Sequence, residues 1–229
     1  MAERGRDRGA DSALGPALDA GEIPAVTLEH AVARYLERLA VALQALDPET
    51  VNRIVERLER ARVQGATVFV LGNGGSASTA SHFACDLAKH ATADWHEPRL
   101  RAISLADNLA LITAWANDAD YSRVFAEPLD ALVRPGDVVV AISTSGDSAN
   151  VIAAARQARL RKATVIALTG RSGGAVRELA DIWVGTPGDD MRQVEDVHLA
   201  ICHAVTAALR LPGSAANGLA AGADHDARR

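Results

Sequence analysis

TVFVLGNGGSAS at 67–78 runs a short apolar segment straight into a turn of glycine, asparagine and serine, and DVVVAISTSGDS at 137–148 repeats the device. Three further apolar runs, RAISL 101–105, TVIAL 164–168 and DIWVG 181–185, alternate with helical patterns. Continuous apolar runs, in place of period-2 alternation, are what strands covered on both faces require. The pattern predicts an α/β fold with a parallel sheet between helical layers. The first, third and fourth strands each lead into a Gly/Ser-rich turn and then a helix: GNGGSAS, STSGDSA and TGRSGGA. Ligands of open α/β sheets bind at the carboxyl ends of the strands, where such loops converge.

Ahead of the first strand, Leu28, Val32, Tyr35, Leu39, Leu43 and Leu46 follow 3–4 spacing. Asp47-Pro48 then offers an N-cap and a first-turn proline for a second helix through Val63, so a helical hairpin precedes the sheet. Residues 1–25 and 212–229 are rich in Gly, Ala, Asp and Arg without periodicity, and are expected to be disordered tails around a single domain at 26–211. A formal net charge of −5 with no long Lys/Arg block argues against nucleic acid or an anionic membrane as partner. No apolar run reaches the roughly 20 residues that span a bilayer, and MAERGRDRGADSALG lacks a signal peptide's apolar core. The expected location is the cytoplasm. The two cysteines, Cys85 and Cys202, fall inside helical patterns and are read as buried apolar residues.

A phosphate needs several donors at close range, and a Gly-Ser turn entering a helix supplies backbone amides, hydroxyls and the positive helix end. Gly72, Gly74 and Gly75 permit close backbone approach; Ser76, Ser143, Ser145 and Ser148 offer hydroxyls. One such loop could be an ordinary tight connection. Two after separate parallel strands favour a phosphate. Neither loop carries the lysine of G-x-x-x-x-G-K-[ST], which disfavours a nucleotide triphosphatase. Gly72-x-Gly74-x-x-Ala77 fits the dinucleotide fingerprint better, but Asp94 falls in a connection, Asp107 comes too late for its ribose-binding acid, and STSGDS would be left without a role.

Together GNGGSASTASHFACDL, WAND at 115–118, PGDVVVAISTSGDSANV at 135–151, ALTG at 167–170 and VEDVHLAICH at 194–203 resemble the SIS-domain phosphoheptose isomerases, over about residues 28–210. The resemblance implies a three-layer α/β/α SIS domain with a five-stranded parallel sheet, assembled as a homotetramer with sites at subunit contacts. It implies interconversion of sedoheptulose 7-phosphate and D-glycero-D-manno-heptose 7-phosphate, often with zinc. By position it assigns Asn73, Gly74, Gly75, Ser76, Ser143, Thr144, Ser145 and Ser148 to the phosphosugar, and Asn117 and Asp118 to sugar hydroxyls. His82 and His203 fall where the family has metal-ligating histidines, the latter also a proposed acid/base. Asp86 stands where the isomerases usually have a glutamate base, and Glu195 where they usually have glutamine, a position that touches substrate and metal.

His82 and Asp86, at i and i+4, share one helix face and can converge on one atom. Glu195 and His203 lie about 12 Å apart along a continuous helix. Sharing one ion within a subunit is therefore difficult, and Glu195 with His198, at i and i+3, is the nearer pair. The implied metal set, His82, Asp86, Glu195 and His203, requires Glu195 and His203 to serve different sites across an oligomer contact. His90 and His198 read as polar helix residues. Ketose–aldose isomerisation moves a proton between C1 and C2 through an enediol, which asks for a base, here Asp86, and a second proton-transfer group, here His203. A metal would add Lewis-acid stabilisation. Two other readings stand beside this one: a catalytically silent SIS protein that senses a phosphosugar or bridges partners, and an isomerase for a different phosphosugar. The carboxylate at position 86 separates the silent reading from the enzymes.

Overall fold

Asp47 leaves its turn extended and its carboxylate accepts from the amides of Glu49 and Thr50 at 3.1 and 3.2 Å, with Pro48 in the first helical turn. These contacts end α1 (Leu28–Gln44) and start α2 (Pro48–Gln64), giving the expected hairpin. The computed structural model describes residues 28–92, 98–188 and 190–211; the expected tails at 1–25 and 212–229, and Asp94, lie outside them. After the hairpin come β1 (Thr67–Gly72), α3 (Gly75–Lys89), β2 (Arg101–Ser104), α4 (Leu109–Asp118), α5 (Ala126–Leu132), β3 (Val138–Ser143), α6 (Ala149–Leu160), β4 (Thr164–Gly170), β5 (Ile182–Thr186) and α7 (Met191–Leu209). Short 3-10 turns cover Tyr121–Arg123 and Ala175–Leu179.

The five strands form one parallel sheet in the order β2-β1-β3-β4-β5. Successive residues of each strand point to opposite faces, and both faces are apolar. Val68, Val70, Val138, Val140, Ile142, Ile166 and Leu168 pack with Ile54 and Leu58 of α2, Phe83 and Leu87 of α3, and Ile201 and Val205 of α7. Phe69, Leu71, Val139, Ala141, Val165 and Ala167 pack with Leu129 of α5 and Val151, Ala154 and Ala158 of α6. This three-layer α/β/α arrangement explains the unbroken apolar runs. The sheet grows in opposite directions from β1 and β3, and their following helices α3 and α6 cover opposite faces. The crevice between them is the topological switch point, the place where a ligand is expected.

Four expectations need correction. Coverage on both faces fails at the β2 edge, where Ile103 is 43% exposed and α4 buries none of its residues within this chain. TGRSGGA opens a five-residue 3-10 turn and not a long helix. Cys85 is exposed, because α3 turns Ala80, Phe83, Ala84 and Leu87 inward; Cys202 is buried as expected. His198, read as a polar helix residue, is fully buried on the inner face of α7. The N-terminal hairpin is tied to α7 by the Tyr35 hydroxyl, which donates to Asp196 Oδ2 at 2.5 Å; that bond holds the Tyr35 pKa up at about 12. Among the described residues no helix is long and apolar enough to cross a membrane.

Candidate functional site

The GNGGSAS loop turns from β1 into α3. Gly74 has φ +55°, and at Gly75 a Cβ would stand 2.6 and 2.7 Å from the two carboxylate oxygens of Glu195. Glycine is required there because Glu195 reaches from α7 to the N-terminal end of α3, where the helix dipole and free amides favour an anion. Ser76 is buried under the turn, its Cβ facing Gly72. The Asn73 side chain is engaged by protein: its Nδ2 donates to Asn150 Oδ1 at 2.9 Å, and its Oδ1 accepts from Asn150 Nδ2 at 2.8 Å and from the Tyr121 hydroxyl at 3.1 Å. Asn150 is buried on α6, so this reciprocal amide pair locks the first loop to the helix that follows the second.

In STSGDS, Ser143 is buried and braces the turn: its Oγ accepts from the Gly146 amide at 3.1 Å and lies 3.4 Å from Ser148 Oγ. Ser145 Oγ accepts from the Asp147 amide at 3.1 Å. Ser148 is the N-cap residue of α6, yet its side chain makes no cap hydrogen bond, which leaves the hydroxyl and the helix end available to a ligand. Thr144 and Ser145 open onto a cavity of about 480 Å³, bounded also by Gly170 and Ser172 after β4 and by Val194 of α7.

A second cavity, of about 540 Å³, holds His82, Asp86 and His203 together with His90, Thr206 and Arg210. The Asp86 carboxylate is 3.6 Å from His82 Nε2 and 3.9 Å from His203 Nε2, and the two Nε2 atoms are 3.4 Å apart. A tetrahedral site with bonds of about 2.0–2.1 Å has edges of about 3.3–3.4 Å, so these three donors are close to one face of such a site. They fit a metal held by two imidazoles and one carboxylate, with a position left open. The chain thus brings His82, Asp86 and His203 together and leaves Glu195 apart, two turns back along α7 at the first loop. Cys202, beside the cluster on α7, has its thiol pKa pushed up by burial and then by Asp86, which leaves it inert.

Asn117 and Asp118 are exposed at the end of α4, Asn117 Nδ2 donating to Asp118 Oδ1 at 2.8 Å. Asp107 is a brace: Ser81 of α3 and Ser104 of β2 both donate to its Oδ1, the latter at 3.1 Å. Asn150 and Tyr121 are the site residues sequence reading missed; their only signal was proximity to STSGDS and to WAND.

Two glycine-serine loops lie at the switch point of a parallel α/β sheet, with a His-Asp-His cluster on the helices of one face, an arrangement whose donors suit a small anion and whose cluster suits acid–base or metal chemistry. Residues 30–170 match the sequence model of the SIS domain. A phosphoheptose isomerase of Mycobacterium tuberculosis is 42% identical over 176 residues, 75% of this chain and 89% of that protein. Phosphoheptose isomerases of Neisseria gonorrhoeae and Francisella tularensis superpose with TM-scores of 0.74 and 0.73 at 32% and 30% identity, each over 80% of this chain and 98% of theirs. The chain belongs to the SIS-domain phosphoheptose isomerases, a family of enzymes.

Proposed function

We propose that this chain is an aldose–ketose isomerase that interconverts sedoheptulose 7-phosphate and D-glycero-D-manno-heptose 7-phosphate. The observation that carries the reading is a carboxylate, Asp86, set within 4 Å of two imidazoles in a chain that keeps both phosphate-type loops. The phosphate is held by Thr144, Ser145 and Ser148 with the amides at the start of α6, Ser143 bracing the turn from beneath. Asn73, Gly74, Gly75 and Ser76 shape the adjoining wall, and Asn117, Asp118 and Glu195 take sugar hydroxyls. Asp86 removes a proton from C1 of the ketose, the C–H electrons form the C1=C2 bond, and His203 delivers a proton to the C2 oxygen, giving the enediol. In the second half His203 takes the O1 proton back, the O–H electrons form the C1=O bond, and the C1=C2 electrons take the proton held by Asp86 onto C2, giving the aldose. His82, Asp86 and His203 would hold zinc, which supplies Lewis-acid polarisation of a carbonyl oxygen.

Within one chain the loop cavity and the cluster cavity share no lining residue among those described. Eleven residues of α3, about 16 Å of helix, separate Gly75 from Asp86. A complete site therefore pairs one subunit's loops with another's cluster, in a homo-oligomer that we take to be a tetramer. The apolar side chains left exposed on α4 and β2, Leu109, Leu111 and Ile103, supply surface for such contacts. Asp86→Asn and His203→Gln test the mechanism: each should lower turnover by roughly 10²–10⁴-fold while leaving phosphosugar affinity by calorimetry within a few fold. Full activity in Asp86→Asn would falsify it.

A further inference from the structure

TGRSGGA at 169–175 is the third glycine-serine loop, and the function proposed above gives it no role. It is laced onto STSGDS: the Gly170 amide donates to the Thr144 carbonyl at 2.9 Å, the Ala175 amide to Asp147 Oδ1 at 2.8 Å, and the Val176 amide to the Gly146 carbonyl at 3.0 Å. The loops touch so closely at Gly146, φ +72°, that a Cβ there would lie 2.0 Å from the Gly173 carbonyl oxygen. Arg171 follows Gly170 directly, so its backbone is fixed relative to Thr144 and Ser145. Its side chain is exposed, lines the cavity those two residues open onto, and makes no hydrogen bond or ion pair among the described residues.

Serine hydroxyls and amides solvate a phosphate but do not neutralise it. A phosphate monoester carries about −1.5 to −2 charges near neutrality, and neither GNGGSAS nor STSGDS contains a lysine or arginine. Among the described residues Arg171 is the cation on the cavity wall, and the acid there, Asp190, is paired with Arg192 at 3.1 Å. Beyond Arg171 the cavity continues into a groove of about 560 Å³ walled by Arg34 and Arg38, one turn apart on α1, with Glu37 as the one acid among the described residues that line it. Among the described residues the approach to the phosphate loop thus carries more cations than acids, although the chain is −5 overall.

We propose that Arg171 is the counter-cation of the sugar phosphate, a binding residue delivered by the third loop to the phosphate site; this rests on the phosphosugar reading above. The guanidinium's forked donors suit phosphate oxygens, so it selects phosphorylated over unphosphorylated sugars. The test is calorimetry on the full chain with sedoheptulose 7-phosphate, inorganic phosphate and sedoheptulose as probes, for the unmodified protein, Arg171→Gln and Arg171→Lys, at low and high salt. Arg171→Gln is expected to weaken both phosphate-bearing probes about tenfold at low salt, with a smaller gap at high salt, and to leave sedoheptulose unchanged. Arg171→Lys should recover part of the loss, and in turnover KM should rise in Arg171→Gln with kcat little changed. The inference is overturned if Arg171→Gln binds both phosphate probes within twofold of the unmodified protein, or if both variants weaken all three probes alike, which marks a structural role. If the unmodified protein binds neither phosphate probe, the phosphosugar reading itself fails and takes this inference with it.

Discussion

Lowering the pH from about 7.5 to about 5 should strip stability from this fold through one residue, His198. Its ring is fully buried on α7, between Glu195 and His203 in sequence, and neither ring nitrogen finds a partner of normal hydrogen-bond geometry among the described residues. Burial holds its pKa down at about 4; a loose contact with the Thr169 backbone works weakly the other way. In the unfolded chain the group titrates near its ordinary value of 6.5. Between those values the unfolded state binds the extra proton, so stability is full above about pH 6.5 and falls as pH drops towards 4. A shift of about 2.5 units is worth about 3 kcal/mol in total, of which about 2 kcal/mol is lost by about pH 5. For a domain of this size that is a fall of about 4–8 °C in Tm. Carboxylates also titrate in this range, so the comparison is with His198→Leu, which has similar volume and no proton to gain. Urea unfolding at the two pH values should show the variant losing about 2 kcal/mol less than the unmodified chain. Equal losses in both would refute the assignment.

Ser145→Ala should weaken phosphosugar binding by about 1–2 kcal/mol in calorimetry, the scale of one charge-assisted hydrogen bond. Asn150→Asp keeps an acceptor for Asn73 Nδ2 but removes the donor to its Oδ1, and it places a carboxylate in a buried site; a loss of about 1–3 kcal/mol in urea unfolding is expected, with KM rising more than kcat falls. Co-expression tests the shared site: a chain with its phosphate loop disabled and one carrying Asp86→Asn should each be inactive alone and recover activity when assembled together, whereas no recovery would place the whole site in one subunit.

The sheet was legible because a strand covered on both faces must be apolar at every position, and Val68 to Leu71 and Val138 to Ile142 satisfy that without interruption. The hairpin was legible because Asp47-Pro48 encodes a local cap. The His82–Asp86 pair followed from helical spacing alone. What the sequence withheld is tertiary. The Asn73–Asn150 pair joins residues 77 apart and has no local signature. Glu195 meets Gly75 only once α7 lies across the end of α3. The lacing of TGRSGGA onto STSGDS depends on β3 and β4 being neighbours in the sheet. Cys85 and His198 were misplaced because single residues in a helical pattern carry little information about which side of the apolar stripe they join.

Enediol chemistry on a phosphorylated sugar is reported directly by solvent proton exchange. Sedoheptulose 7-phosphate incubated with the purified chain in deuterated water should lose its C1 proton signal as deuterium enters. D-glycero-D-manno-heptose 7-phosphate should appear labelled at C2, and Asp86→Asn should do neither. A protein that binds the phosphosugar but catalyses no exchange into it or any other phosphosugar would contradict the account and leave a binding protein in place of an isomerase.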